Sequence, residues 1–127
     1  MKDDNELLNQ RHLFDVFVAG FQLFCMPYPV QESYFEAFIY TPEGVISAIY
    51  DALVYVPQLL HNGLLPNEIE DPLFSFERNL DLFVDKHGVD FDTIHLDGHE
   101  WKLLKVNAAE ILIKIGQKVQ RPDQRLI

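Results

Sequence analysis

Residues 93–103, Thr93-Ile94-His95-Leu96-Asp97-Gly98-His99-Glu100-Trp101-Lys102-Leu103, carry the strongest local signal in the chain and set its expected fold class. Asp97-Gly98 sits between two runs that read as extended. A two-residue type I′ turn needs positive φ at both central positions, and Asp-Gly supplies this at little cost. Pairing outward from the turn sets Leu96 opposite His99, His95 opposite Glu100 and Ile94 opposite Trp101. Ile94, Leu96, Trp101 and Leu103 then share a face that should bury, while Thr93, His95, Glu100 and Lys102 face water. The expectation is a β-hairpin near residues 91–106.

On both sides of this stretch the periodicity is helical. Asn107 can cap a last helix through Ala108, Ala109, Ile111, Leu112 and Ile115, ending near Gly116. Residues 117–127 follow as a basic tail expected to fray. Upstream, Leu73, Phe76, Leu80, Phe83 and Val84 predict a helix over 73–87 that Gly88 stops, preceded by a connector at 64–72 with Pro66 and Pro72. Thr41-Pro42-Glu43 offers an N-cap hydroxyl, a first-turn proline and an acid. Val45, Ile46, Ile49, Tyr50, Leu53, Val54, Val56 and Leu60 continue it as a central buried helix, kinked by Pro57 and ended by Asn62-Gly63. A first helix is expected over 6–26 from Leu7, Leu8, Phe14, Val18, Phe21, Leu23 and Phe24, stopped by Pro27 and Pro29. Residues 30–40 read as an amphipathic turn or a short aromatic strand, with strand favoured for 35–40. The expected architecture is therefore mainly α with a β-hairpin, on the border of α+β: about four helices in one domain over 1–127.

Composition agrees with one self-sufficient domain. The chain has 127 residues, 48% of them hydrophobic, with ten Phe, five Tyr and one Trp, enough apolar surface for a core. Its single cysteine, Cys25, excludes a disulfide framework and a Cys-based zinc site within one chain. Flanked by Phe24 and Met26, it reads as a buried, inert thiol. The opening Met1-Lys2-Asp3-Asp4-Asn5-Glu6 is unlike a secretory signal. The longest apolar stretch, residues 16–26, contains Gln22 and is shorter than the roughly 20 residues that span a bilayer. A cytoplasmic location without membrane contact is expected.

Charge is more informative. Twenty acids against ten bases give a net charge of −10. Residues 1–100 hold 18 acids and four bases, whereas residues 101–127 hold two acids and six bases (Lys102, Lys105, Lys114, Lys118, Arg121, Arg125). A surface of the first kind repels phosphate backbones and attracts cationic proteins by long-range steering, though acidity also serves solubility. On the 73–87 helix, Glu77, Asp81 and Asp85 form a row at i, i+4 and i+8. Like charges at this spacing cost a few tenths of a kcal/mol per pair. The row is either a solvated face partly offset by Arg78 and Lys86 or an acidic stripe prepared for a basic partner.

Other constellations resolve into ordinary structure. His95, Asp97 and Glu100 resemble metal ligands, but the hairpin register puts His95 and His99 on opposite faces, so no metal is expected. His12 and Asp15 are three apart on the first helix. His61 and His87 lie near helix C-termini, where a cation is favoured without any catalytic role. The Glu70-Asp71 pair is of a kind any acidic protein holds, and no catalytic or phosphate-cradling motif occurs. No enzymatic activity and no cofactor are expected. Tyr34, Phe35, Phe38, Tyr40, Phe74 and Phe76 lie among acids rather than bases, so core packing accounts for them better than base stacking.

In size, acidity and lack of catalytic residues the chain resembles the immunity proteins of bacterial toxin–immunity systems, among them contact-dependent growth-inhibition and nuclease-bacteriocin systems. The resemblance rests on Glu68, Glu70, Asp71, Glu77, Asp81, Asp85, Asp90 and Asp92. It implies a basic protein partner, a cognate toxin domain whose cationic cleft an acidic domain covers, with no nucleic acid bound. Glu68, Glu70, Asp71, Glu77, Asp81 and Asp85 are the expected partner-binding residues of a monomer or weak dimer. The alternative is a non-catalytic homodimeric regulatory or small-molecule-binding domain that pairs through an apolar patch at residues 34–40.

Overall fold

The structure, a computed structural model, describes residues 4–88 and 98–127. These form α1 (Asp4–Cys25), α2 (Tyr28–Glu32), α3 (Thr41–Val54), α4 (Val56–His61), α5 (Glu70–His87) and α6 (His99–Lys114). Short 3₁₀ turns occupy Asn67–Ile69 and Gln124–Leu126. The described residues contain no strand.

The β-hairpin expected at 91–106 is therefore a misreading, because α6 occupies the place of its second strand. Gly98 has φ −70° and ψ 161°, an extended residue preceding the helix, whereas the expected turn needs positive φ there. Burial explains which pattern prevails. Trp101, Leu104, Ala108, Ile111 and Leu112 are buried and lie at helical spacing. Leu103, which alternation would have buried beside Trp101, is 49% exposed. Thr93, Ile94, His95, Leu96 and Asp97 lie outside the described residues.

The strand favoured at 35–40 is also absent. These residues form successive turns, in which Phe35 N–H donates to Glu32 O and Ile39 N–H to Glu36 O. The Phe35 ring instead covers Gly44, where a Cβ would lie 2.7 Å from it. The helix expected to run from Thr41 past Leu60 is interrupted at Tyr55, between α3 and α4. Pro57 cannot donate to the ladder and its ring clashes with the carbonyl four residues back. α4 ends at His61, and Gly63 just beyond it has a φ of 75°, which lets Leu64 N–H reach Leu59 O and Gly63 N–H reach Leu60 O. α5 begins at Glu70, three residues before the periodic pattern. Pro72 fits because first-turn N–H groups have no helical acceptor.

α1 is the central element, packed on α3 and α6, while α5 packs on α6. At Gly20 a Cβ would lie 2.9 Å from Ala52 Cβ, so α1 and α3 come close together there because no side chain intervenes. Aromatic rings run through the core in sequence. Phe17 meets Phe21 at 4.7 Å, Phe21 meets Phe76 at 5.2 Å and Phe76 meets Phe24 edge-on at 5.5 Å. Trp101 contacts Phe24 at 4.6 Å and Phe83 at 5.3 Å, tying α6 to both α1 and α5.

The C-terminal end of α1 is satisfied by distant side chains. Gln31, fully buried, donates from Nε2 to Leu23 O and Phe24 O. Lys105 Nζ donates to Met26 O at 2.7 Å, a cation where the helix dipole favours one. The tail expected to fray is tied to the same region. Gln22 Nε2 donates to Lys118 O at 3.0 Å and the Tyr34 hydroxyl to Pro122 O at 2.7 Å. Among the described residues, no helix is long and apolar enough to cross a membrane.

Candidate functional site

α5 is amphipathic: Leu73, Phe76, Leu80 and Phe83 are buried, and the acids take the other side. Glu70, Phe74, Glu77, Asp81 and Asp85 follow one another at steps of four, three, four and four residues, which places them along a single stripe. All five are exposed, Phe74 by 68%. Asp71 sits about 100° around the helix from Glu70, and Glu68 lies on the preceding 3₁₀ turn. Of the six expected partner-binding residues the fold thus aligns Glu70, Glu77, Asp81 and Asp85, with Glu68 and Asp71 beside the stripe's N-terminal end. Asp90 and Asp92 lie outside the described residues.

α3 adds a residue that the sequence did not single out for a role. The Tyr50 hydroxyl donates to Asp81 Oδ1 at 2.5 Å. Burial, then the Asp81 hydrogen bond and the charges of Asp81, Glu77 and Asp85, push the Tyr50 hydroxyl above its ordinary pKa, so it stays a donor. At four-residue steps on α5, Glu77, Asp81 and Asp85 are neighbours along one face, with Cβ atoms about 5–6 Å apart from one to the next.

The bases expected to offset the row do not pair with it. Lys86 Nζ reaches Glu100 Oε1 on α6 at 2.8 Å, and this hydrogen bond holds Glu100 below the usual carboxylate range. Among the described residues, the ion pairs join Arg11 to Asp15, Lys86 and His87 to Glu100, and Arg125 to Asp123. The Arg125 hydrogen bonds lower Asp123 to about 2. Of the C-terminal bases, Lys105 is engaged with Met26 O and Arg125 with Asp123. The acids of the α5 stripe are left to face solvent.

Beside the stripe lies an open groove of about 480 Å³ between α4 and the N-terminal half of α5. Val56, Leu60, Leu73 and Phe74 make it apolar, and Glu70 and Glu77 stand along its α5 side. His61 and Asn67 line it as well. Phe74, expected in the core with Phe76, is instead its exposed wall. The signal was present in the sequence: Phe74 falls in step with Glu70 and Glu77, out of step with the apolar face of α5. A second groove, about 330 Å³, runs over Leu82 and Leu103 between α5 and α6, but its acid, Glu100, is already paired with Lys86.

The described residues contain no group of three or more His, Cys, Asp or Glu placed to hold a metal ion. His95 and Asp97 lie outside them. The arrangement suits contact: an acidic stripe, a hydrogen-bonded tyrosine and an apolar trough. No protein-family model, curated protein or solved structure matches the chain.

Proposed function

We propose that this protein is a non-catalytic inhibitor of the immunity-protein kind, acting in the cytoplasm, which neutralises a cationic toxin domain, a nuclease, by laying its acidic α5 face over the toxin's substrate cleft. The observation that carries this reading is the exposed stripe Glu70, Glu77, Asp81 and Asp85, in which none of the four acids forms an ion pair among the described residues. A nuclease must concentrate positive charge where it holds a phosphate backbone. An acidic face complements such a cleft, steers encounter and excludes the substrate. The α5 acids repel one another in the free protein and gain most when a cationic surface meets them.

The test is capture of the neighbouring gene's product by the purified chain at low and high salt, with nuclease activity followed in parallel. Binding that weakens with salt, inhibits cleavage and is lost in the Glu77→Lys, Asp81→Lys, Asp85→Lys triple variant is expected. No binding at low salt removes the reading. The homodimeric alternative draws on Phe38, 82% exposed beside the partly exposed Ile39 and Tyr40. Light scattering separates the two, since a salt-insensitive dimer favours the alternative and a monomer the inhibitor.

A further inference from the structure

The stripe and the α4–α5 groove share residues, and this specifies the chemistry of what binds there. Glu70 and Glu77 belong to both, with the exposed Phe74 ring between them in sequence and in the groove wall. From Glu70 to Asp85 the stripe runs 15 residues along α5, about 22 Å at the helical rise. A small molecule in the trough would leave Asp81 and Asp85 uncovered. A polypeptide of about seven extended residues reaches the whole length.

Resting on the reading of the chain as a binder of a basic protein, we infer that the α4–α5 groove takes one large apolar side chain of the partner, presented on a segment with lysines or arginines on both sides of it. The apolar side chain enters the trough against Phe74, Leu60 and Val56. The flanking cations meet Glu70 on one side and Glu77, Asp81 and Asp85 on the other. Charge sets the encounter, and the anchor supplies the short-range affinity that exposed ion pairs do not. The α5–α6 groove does not meet this description, because its carboxylate already holds a lysine.

The test uses the full chain and three synthetic peptides. The first alternates lysine and glycine around one central phenylalanine, the second has glycine at the centre, and the third replaces the lysines of the first with glutamates. At low salt the first should bind about tenfold more tightly than the second, the scale of one partly buried aromatic side chain. Its amide shifts should concentrate at Leu60, His61, Phe74 and Glu77, and the glutamate peptide should not bind. In Phe74→Ala the anchor preference should fall below about twofold, as expected if the ring is half of the contact. Phe74→Gln, which keeps good helix propensity at this exposed position, serves as the second variant.

Equal binding of the first two peptides overturns the anchor while leaving the acidic reading intact. An anchor preference that survives both Phe74 variants places the pocket elsewhere and overturns it too. If no lysine peptide binds, or the glutamate peptide binds as well as its lysine match, the inference and the reading beneath it fall together.

Discussion

The α5 acids repel one another in the free protein, so neutralising two of them should raise stability while weakening partner binding. In the Glu77→Gln, Asp85→Asn variant Asp81 stays to accept from Tyr50, and both i,i+4 like-charge pairs are abolished. Each pair costs about 0.2–0.5 kcal/mol, giving about 0.4–1 kcal/mol for the two. Asp85 also lies two residues from the last residue of α5, where the carbonyl end of the helix disfavours an anion by about 0.3 kcal/mol or more. A gain near 1 kcal/mol should raise Tm by about 3–5 °C in a domain of this size. Thermal melts followed by circular dichroism at low salt should show that rise. In about 0.5 M salt, where the screening length falls to about 4 Å, most of the gain should vanish. A loss of stability, or a gain indifferent to salt, would refute the mutual repulsion on which the reasoning rests. The same variant should capture a basic partner more slowly.

Three further outcomes bear on the fold. Trp101→Ala empties a fully buried site between Phe24 and Phe83 and should cost about 3–5 kcal/mol in urea unfolding, whereas Leu103→Ala, half-exposed, should cost under about 1 kcal/mol; equal costs would favour the alternating pattern over the helix. Burial raises the Cys25 thiol to about 12, against a weaker opposing effect of Lys105, so alkylation at pH 8 should be at least about 100-fold slower in the native protein than in urea. Because the neutral thiol is favoured, this stabilisation is complete below the ordinary thiol pKa near 9 and is lost as pH climbs from there toward about 12; rapid native labelling would contradict it. Gly44→Ala drives a methyl to 2.7 Å from the Phe35 ring, and the overpacking, less the roughly 1 kcal/mol that alanine gains in a helix, should lower stability by up to about 2 kcal/mol in the same melts, a cost that Phe35→Ala in the same chain should turn into a gain.

The helices were legible where one pattern had no rival. α1 follows from its apolar spacing and the prolines after it. The α3–α4 break follows from Pro57, and the end of α5 from Gly88. α6 was misread because Trp101 and Leu103 satisfy strand alternation over a few residues, and Asp97-Gly98 supplied a ready turn. The longer series Trp101, Leu104, Ala108, Ile111 and Leu112 carried the opposite message, and tertiary burial against Phe24 and Phe83 decides in its favour. The acidic row was legible because its residues share one helix. The groove and the Tyr50 contact were not, since the groove joins α4 to α5 across a loop and Tyr50 lies 31 residues from Asp81.

The C-terminal end of α1 and the turn after α2 are finished by residues far along the chain. Gln22, Tyr34 and Met26 take their partners from Lys118, Pro122 and Lys105, which lie 96, 88 and 79 positions away in the chain. Closing loops of that length costs more entropy than forming the local contacts within α1 and between α1 and α3, so these contacts are expected to follow those. On the ribosome Gln22, Met26 and Tyr34 stay without these three partners until residues 105–122 have emerged. The C-terminal end of α1, though made well before α6, is completed only after it.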